Sequence, residues 1–376
     1  MPTLQDTIDR LAAFEPVGLP VISLYLNMQP DERGRDQYDA FLRKELPARA
    51  ATYAAHSPER DSLERDLERI RAYLDSEVRA SANGLAIFAC AGAGDFFETV
   101  QLDAPIDEHR LFIYNQPHLF HLARVNDEFP RYAAVVLDTH QARILVFDLA
   151  ERVNQATVDN PKPKHHKKGG WSQARYQRHT ENIHLQHAKE VVEALERVVR
   201  QDKVAKLVLA GDEVIIPKFR EQLPQQLAER VVDVLSLDIR TPEHEVLDAT
   251  LESIRQQDEK DDQEKVQRLL DAYRAGGLGV VGVRDTLEAL TRGQADELLV
   301  STAIELRRPE PGEVDASVLP VAPAPGGEAP IQPEAIELGD ELVTRARATG
   351  AAVTFIQDAS LLDEVGGVGA LLRFKL

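Results

Sequence analysis

Cysteine is almost absent from this chain. A single residue, Cys90, in 376 leaves no disulfide framework and no multi-cysteine zinc or iron–sulfur site. Its apolar surroundings read as those of a small core residue. Long apolar runs are missing too: none approaches the ~20 residues that cross a bilayer. The longest candidates, 135–137 and 144–147, are strand-sized. The first residues, MPTLQDTIDRLAAF, mix acids among apolar positions and lack the basic start and unbroken apolar stretch of a signal peptide. A cytoplasmic protein is expected. Basic charge is in deficit, with 44 Lys and Arg against 63 Asp and Glu, net −19. That balance argues against general adhesion to nucleic acid or anionic membrane. Neither a membrane nor DNA is expected as partner, and no cofactor is implied.

What is present is ordinary for a globular chain: 43% hydrophobic and 28% charged residues exclude wholesale disorder. The length exceeds what one hydrophobic core usually organises, so two or three domains are expected. The pattern divides into three α/β parts, 1–128, 129–257 and 258–376. In the first, Leu4, Ile8, Leu11 and Phe14 form a helical stripe, and 20–28 alternates as a strand. A polar helical region over 35–79, broken near Pro47 and at His56-Ser57-Pro58, precedes strands at 84–90, 96–102 and 111–114. The second part opens with a hairpin, 132–138 and 142–148, followed directly by a basic loop. A helix over 173–200 carries Ile183, His187, Val191, Ala194 and Val198 on one side. Then come a strand (206–210), a helix (219–227) and a strand (231–237), an α/β alternation. A polar helix over 243–265 leads to the third part, and its Asp258–Asp262 run reads as a solvated face or hinge. There a helix (266–275), strand (279–283), helix (285–292), strand (297–302), helix (336–348) and strands (351–357, 366–376) follow. Seven of the 21 prolines fall between 309 and 333, an insertion inside this part.

The most informative segment is 160–180, NPKPKHHKKGGWSQARYQRHT. It holds Lys162, Lys164, Lys167, Lys168, Arg175 and Arg178, three histidines and no acid, a charge of +6 against −25 for everything else. Such a loop seeks polyphosphate selectively. Gly169-Gly170 removes side-chain bulk where another chain must approach closely. Trp171 and Tyr176 offer faces for base stacking. Ser172 adds a hydroxyl, and Gln173 brings an uncharged amide. Such a group is no general base at neutral pH, but it can orient a water or donate to an oxyanion.

Blander readings stand beside this one. Gly-Gly after a basic run also describes a plain surface loop. His165-His166, without a nearby carboxylate or thiol, gives no metal site. A Ser172–His179 nucleophile pair has no positional support. Asp138 and Asp148 are too few for a two-metal nuclease and read as solvated strand ends.

At Lys167-Lys168-Gly169-Gly170-Trp171-Ser172, followed by Arg175-Tyr176 and Arg178, the sequence resembles the archaeal and eukaryotic class-1 peptide-chain release factors and their Pelota relatives. Their loop runs basic, Gly-Gly-Gln-Ser, then Arg, aromatic, Arg at the same spacing. The resemblance extends through Leu207-Val208-Leu209-Ala210-Gly211 and through strands of the first part. It continues in Gly282-Val283-Arg284-Asp285-Thr286-Leu287 and the terminal Gly366-Gly367-Val368-Gly369 segment, nearly the whole chain in order. It implies three α/β domains: a release-factor-like amino-terminal domain, an RNase H-like middle domain, and a carboxy-terminal α/β/α sandwich.

The departures bear on activity. Trp171 stands where the family has glutamine, and the nearest glutamine is Gln173. Displaced glutamines occur in Vms-type ribosome-quality-control peptidyl-tRNA hydrolases, which this loop resembles more closely. The Asn-Ile-Lys-Ser and Tyr-x-Cys-x-x-x-Phe signatures for stop-codon reading are missing, so codon-specific termination is not expected. The resemblance implies a bacterial-type protein that hydrolyses peptidyl-tRNA on stalled ribosomes. Gly169, Gly170 and Gln173 would be catalytic. Lys162, Lys164, Lys167, Lys168, Trp171, Ser172, Arg175, Tyr176 and Arg178 would hold rRNA or tRNA. A translational GTPase is a further partner that it allows. Three alternatives stay open: cleavage of the tRNA near its 3′ end, a non-catalytic Pelota-like hibernation factor, and an RNA-binding scaffold outside translation.

Overall fold

The computed structural model describes residues 3–30, 38–149, 151–159, 173–306 and 338–375. Its contacts divide the chain into two compact units, Met1–Glu128 with Asp261–Leu376, and Phe129–Lys260. The Pro-rich stretch 309–333 lies outside the described residues.

Helix α1 (Leu4–Ala12) opens with a capping box: Thr3 Oγ1 accepts from the Asp6 amide at 3.1 Å, and Asp6 Oδ2 accepts from the Thr3 amide at 2.8 Å. Strand β1 (Val21–Asn27) is followed by α2 (Tyr38–Ala50), α3 (Pro58–Ser76), β2 (Gly84–Cys90), β3 (Phe96–Leu102) and β4 (Arg110–Tyr114). These strands form an antiparallel sheet in the order β3-β2-β1-β4. Leu42 and Leu46 of α2 and Leu63, Leu67 and Ile70 of α3 cover the face carrying Ile22, Leu24, Leu85 and Ile87. Pro47 does not break the helix as expected. It sits inside α2, giving up one backbone donor while Leu46 stays buried on the sheet. The break comes at His56, whose φ is +62°, before Ser57 caps α3. A helix that the sequence pattern does not announce, α4 (Phe120–Glu128), closes this segment.

The second unit holds β5 (Tyr132–Leu137), β6 (Gln141–Asp148), β7 (Glu151–Asp159), α5 (Gln173–Asp202), β8 (Lys206–Gly211), α6 (Ile216–Gln222), α7 (Gln225–Ala228) and β9 (Val231–Leu235). The sheet order is β7-β6-β5-β8-β9. β6 is antiparallel to both neighbours, while β5, β8 and β9 run parallel. Three meandering strands joined to two parallel ones in this order make the RNase H-like arrangement. Ala133, Val135 and Leu137 face α5 and α6. The alternate residues Tyr132, Ala134 and Val136 face the long helix α8 (Glu243–Arg274), through its Val246 and Ile254. Two expectations need correction. The helix over 219–227 is two short ones, because Leu223 is extended and Pro224 supplies no amide donor. The helices 243–265 and 266–275 are one 32-residue helix. Its acidic run is helical and largely solvated, with Glu259 and Lys260 exposed, Asp258 paired with Lys206 at 2.5 Å and Asp262 buried, and the boundary between the two units falls within it.

After α8 come β10 (Gly279–Val281), α9 (Val283–Thr291), β11 (Ala295–Ser301), α10 (Leu338–Ala348), β12 (Ala352–Ile356) and β13 (Val368–Leu372), with sheet order β10-β13-β11-β12. Val266 and Leu269 of α8 pack on Leu299 and Ile356 from one face, while α9 and α10 lie against the strands from the other. Helices on both faces give the α/β/α sandwich. Asp340 of α10 ties this segment to the amino-terminal one: its Oδ1 accepts from the Leu119 amide at 2.6 Å and the Phe120 amide at 3.1 Å, capping α4. Phe120 meets Phe355 edge-on at 5.2 Å, and a Cβ on Gly339 would come within 2.6 Å of the Phe120 ring.

Candidate nucleic-acid interface

The basic loop joins β7 to α5. Strand β7 is an edge strand whose alternation is weakly apolar. Only Asn154, Ala156 and Val158 turn partly inward, and the sequence therefore reads as loop there. Its register puts Asp159 opposite Gln141 at the hairpin turn, so the chain leaves β7 at the end of the sheet where β5 and β8 finish. Helix α5 begins at that same end and runs back, delivering the chain to β8 at Lys206.

Eight of the predicted residues, Lys162, Lys164, Lys167, Lys168, Gly169, Gly170, Trp171 and Ser172, lie outside the described residues, as does His165-His166. Gln173, Arg175 and Tyr176 belong to the first turn of α5, and Arg178 one turn on is exposed. The unpaired amides and dipole of a helix N-terminus add a fixed positive potential where the basic segment enters α5. The core seats α5 only from His187 onward, through Ala188, Val191, Ala194, Leu195 and Val198. Among the described side chains of α5, about 14 Å of helix at 1.5 Å per residue, from Arg178, precedes the first buried position. Ile183, expected in the apolar stripe, is only half-buried.

The two acids weighed as nuclease carboxylates are structural and lie at opposite ends of β6, Asp138 beside the hairpin turn and Asp148 at the far end. Asp148 accepts from Arg131 Nε at 2.9 Å and Nη2 at 2.5 Å. Asp138 Oδ1 accepts from the His140 and Gln141 amides at 2.6 and 2.7 Å, closing the hairpin. Among the described residues, no group of three or more His, Cys, Asp or Glu is placed to hold a metal. At the opposite end of α5 a groove of about 670 Å³ is lined by Glu196, Arg200, Lys203 and Arg230, well removed along the helix from the loop.

Spacing alone did not reveal a second polar group at the loop's end of the sheet. Lys218 Nζ lies 3.5 Å from His184 Nδ1. Burial lowers the His184 pKa, and Lys218, His140 and His187 add to the effect against the weak pull of Asp212. These residues come from the hairpin turn, α5, and the start of α6, stretches that only the sheet brings together. His184 and His187, one turn apart on α5, were the available signal.

Comparison with known proteins places the chain. Residues 117–255 match bacterial archaeo-eukaryotic release factor family 10. The chain is 24% identical over 310 residues to eukaryotic peptide chain release factor subunit 1 of Schizosaccharomyces pombe, covering 72% of this chain and 70% of that protein. It is 24% identical over 401 residues to peptide chain release factor subunit 1 of Thermoplasma acidophilum, covering 98% and 94%. Among solved structures it is similar to that of ribosome-bound archaeal Pelota and ABCE1, with 16% identity, coverage of 100% and 95%, and a TM-score of 0.43. No helix among the described residues is long and apolar enough to cross a membrane.

Proposed function

We propose that this chain, whose residues 117–255 match bacterial archaeo-eukaryotic release factor family 10 and which is similar to peptide chain release factor subunit 1, is a ribosome-associated translation factor that hydrolyses peptidyl-tRNA on stalled ribosomes, without reading a stop codon. The observation that carries this reading is the loop itself. It concentrates +6 of charge, without an acid, in a chain of net −19, and carries Gly169-Gly170 directly after its lysines. The helix that follows it runs about 14 Å from Arg178 before its first buried residue among the described side chains, His187. We read 1–128, 129–257 and 258–376 as the amino-terminal, middle and carboxy-terminal domains of the release-factor and Pelota superfamily.

In the proposed reaction, Lys162, Lys164, Lys167, Lys168, Arg175 and Arg178 hold rRNA or tRNA phosphates, and Trp171, Ser172 and Tyr176 contact neighbouring nucleotides. Gly169 and Gly170 let the backbone approach the ester. The Gln173 amide orients a water whose oxygen attacks the ester carbonyl, or donates to the oxyanion that forms. The ester C–O bond breaks, the tRNA 3′ oxygen takes a proton, and the peptide leaves as a carboxylate. A translational GTPase delivering the protein fits the same reading.

The test is peptide release from purified peptidyl-tRNA–ribosome complexes, with the tRNA product sized. Release with an intact CCA end, slowed by Gln173→Ala, supports ester hydrolysis. A shortened tRNA end replaces it with nuclease action. Trp171 at the family's glutamine position favours a second reading, a non-catalytic hibernation factor. That reading expects binding to vacant ribosomes and no release of peptide.

A further inference from the structure

We propose that the end of the second unit's sheet where β5 and β8 finish binds a phosphate group through Lys218, His184 and His140, with His187 beneath them. Leu137 pairs with Gly211 at the last register position of the parallel strands, so the 139–140 turn and the segment starting at Asp212 leave the sheet side by side. Ligands of α/β sheets gather at this carboxyl end of parallel strands. The two strand ends meet very closely: a Cβ on Gly211 would stand 2.0 Å from the Leu137 carbonyl oxygen.

His187 is fully buried, and neither of its ring nitrogens has a hydrogen-bond partner; Nδ1 of His140 is in the same state. Buried polar atoms are nearly always satisfied, so these unpaired nitrogens call for a partner, and both rings lie near enough to His184 to act on its charge. Lys218 and His184 define the sign of that partner. An ammonium has no lone pair to accept with, so at 3.5 Å it donates to His184 Nδ1. His184 Nε2–H is then left as a donor. A metal cation is disfavoured by that ammonium and by the lack of any three-ligand group among the described residues. The two carboxylates nearby have other work: Asp138 holds the His140 and Gln141 amides, and Asp212 Oδ1 holds those of Val214 and Ile215 at 2.9 and 3.0 Å. What remains is the fixed positive charge of Lys218 and one N–H donor from each neutral imidazole, over the fully buried His187, chemistry that suits a phosphate. Exposed Arg178 lies six residues before His184, about 9 Å up the same helix. A strand of RNA held at the basic loop would run past this spot. The RNA source therefore rests on the proposed function, whereas the phosphate chemistry does not.

The test uses the full chain with ¹⁵N-labelled histidine, titrated with inorganic phosphate and, separately, with a short single-stranded RNA. The expected result is saturable movement of the His140, His184 and His187 ring-nitrogen signals with phosphate. Affinity should fall roughly tenfold in Lys218→Met, whose half-exposed position spares the fold. Lys167→Ala/Lys168→Ala should leave that phosphate response unchanged, separating this site from the loop. Movement with RNA as well assigns the phosphate to a nucleic-acid backbone; movement with phosphate alone assigns it to the free ion. Ring signals that respond to neither overturn the site without touching the loop reading, and so do signals that respond only to zinc.

Discussion

The seam between Asp340 and α4 and the free end of α5 are opposites in construction. At the seam, one carboxylate satisfies two buried amides. There Tyr25 donates to the His118 carbonyl at 2.6 Å, and the His118 ring lies on Phe112 at 3.7 Å. Gly339 leaves no room for even a methyl group. At the end of α5, residues 178–186 are exposed or half-buried, and the core begins only at His187. The seam fixes chain segments more than 200 positions apart, whereas residues 178–186 of α5 contribute little to the core. Under the proposed function, stability and ribosome contact fall to different residues, and damage to one should spare the other.

That separation can be broken in order of expected effect. Gln173→Ala should slow peptide release by ~10²–10³-fold, the usual loss of an oxyanion or water-orienting donor. Its thermal midpoint should stay where it was, and a shift of many degrees would mean that the start of α5 is part of the core after all. A second test concerns a buried acid in the first unit. Burial pushes the Asp66 carboxyl up from 3.8 to about 6, opposed by the Ala91 amide and by Arg65 and Arg69. Because the folded value is raised, this group's contribution is fully present below 3.8 and is lost as pH rises through about 6. Asp66→Asn should therefore gain up to roughly 3 kcal/mol at pH 7.5 and flatten stability between pH 4 and 7 in urea melts, with release unaffected. A pH profile identical to wild type would refute the assignment.

The seam itself comes next. Asp340→Ala strands two buried amides and should cost ~1–3 kcal/mol. Gly339→Ala should cost a similar ~1–3 kcal/mol by driving a methyl into Phe120. Both are read from denaturant midpoints, with release rates unchanged per folded molecule. The smallest effect belongs to the loop's charges. Lys167→Ala/Lys168→Ala should shallow the dependence of log affinity on log salt for single-stranded RNA by about 1.4, two phosphate contacts at ~0.7 each. An unchanged slope would take those lysines off the phosphates.

The readable and unreadable parts of the chain sort along the same division. Continuously apolar strands such as β1, β2, β5, β6 and β8 were readable, since each is buried along most of its length. Strand β7 escaped because Glu151, Arg152 and Gln155 face solvent on an edge. Short α4 escaped because its packing partners are Asp340 and Phe355, more than 200 residues away. The pairing of Asp258 with Lys206 in α8 was not readable, because it depends on the sheet. For the candidate site, residue identity and charge were visible in 160–180, and the start of α5 at Gln173 agrees with its spacing. The grouping of His140, His184, His187 and Lys218 was not, because three separate elements supply it.

The decisive measurement is site-specific photo-crosslinking from position 171 on stalled ribosomes carrying peptidyl-tRNA. Adducts should fall on rRNA of the peptidyl-transferase cavity and on the tRNA CCA end. Adducts confined to the protein's own surface, or to RNA elsewhere, would contradict the central claim that this loop reaches the ester.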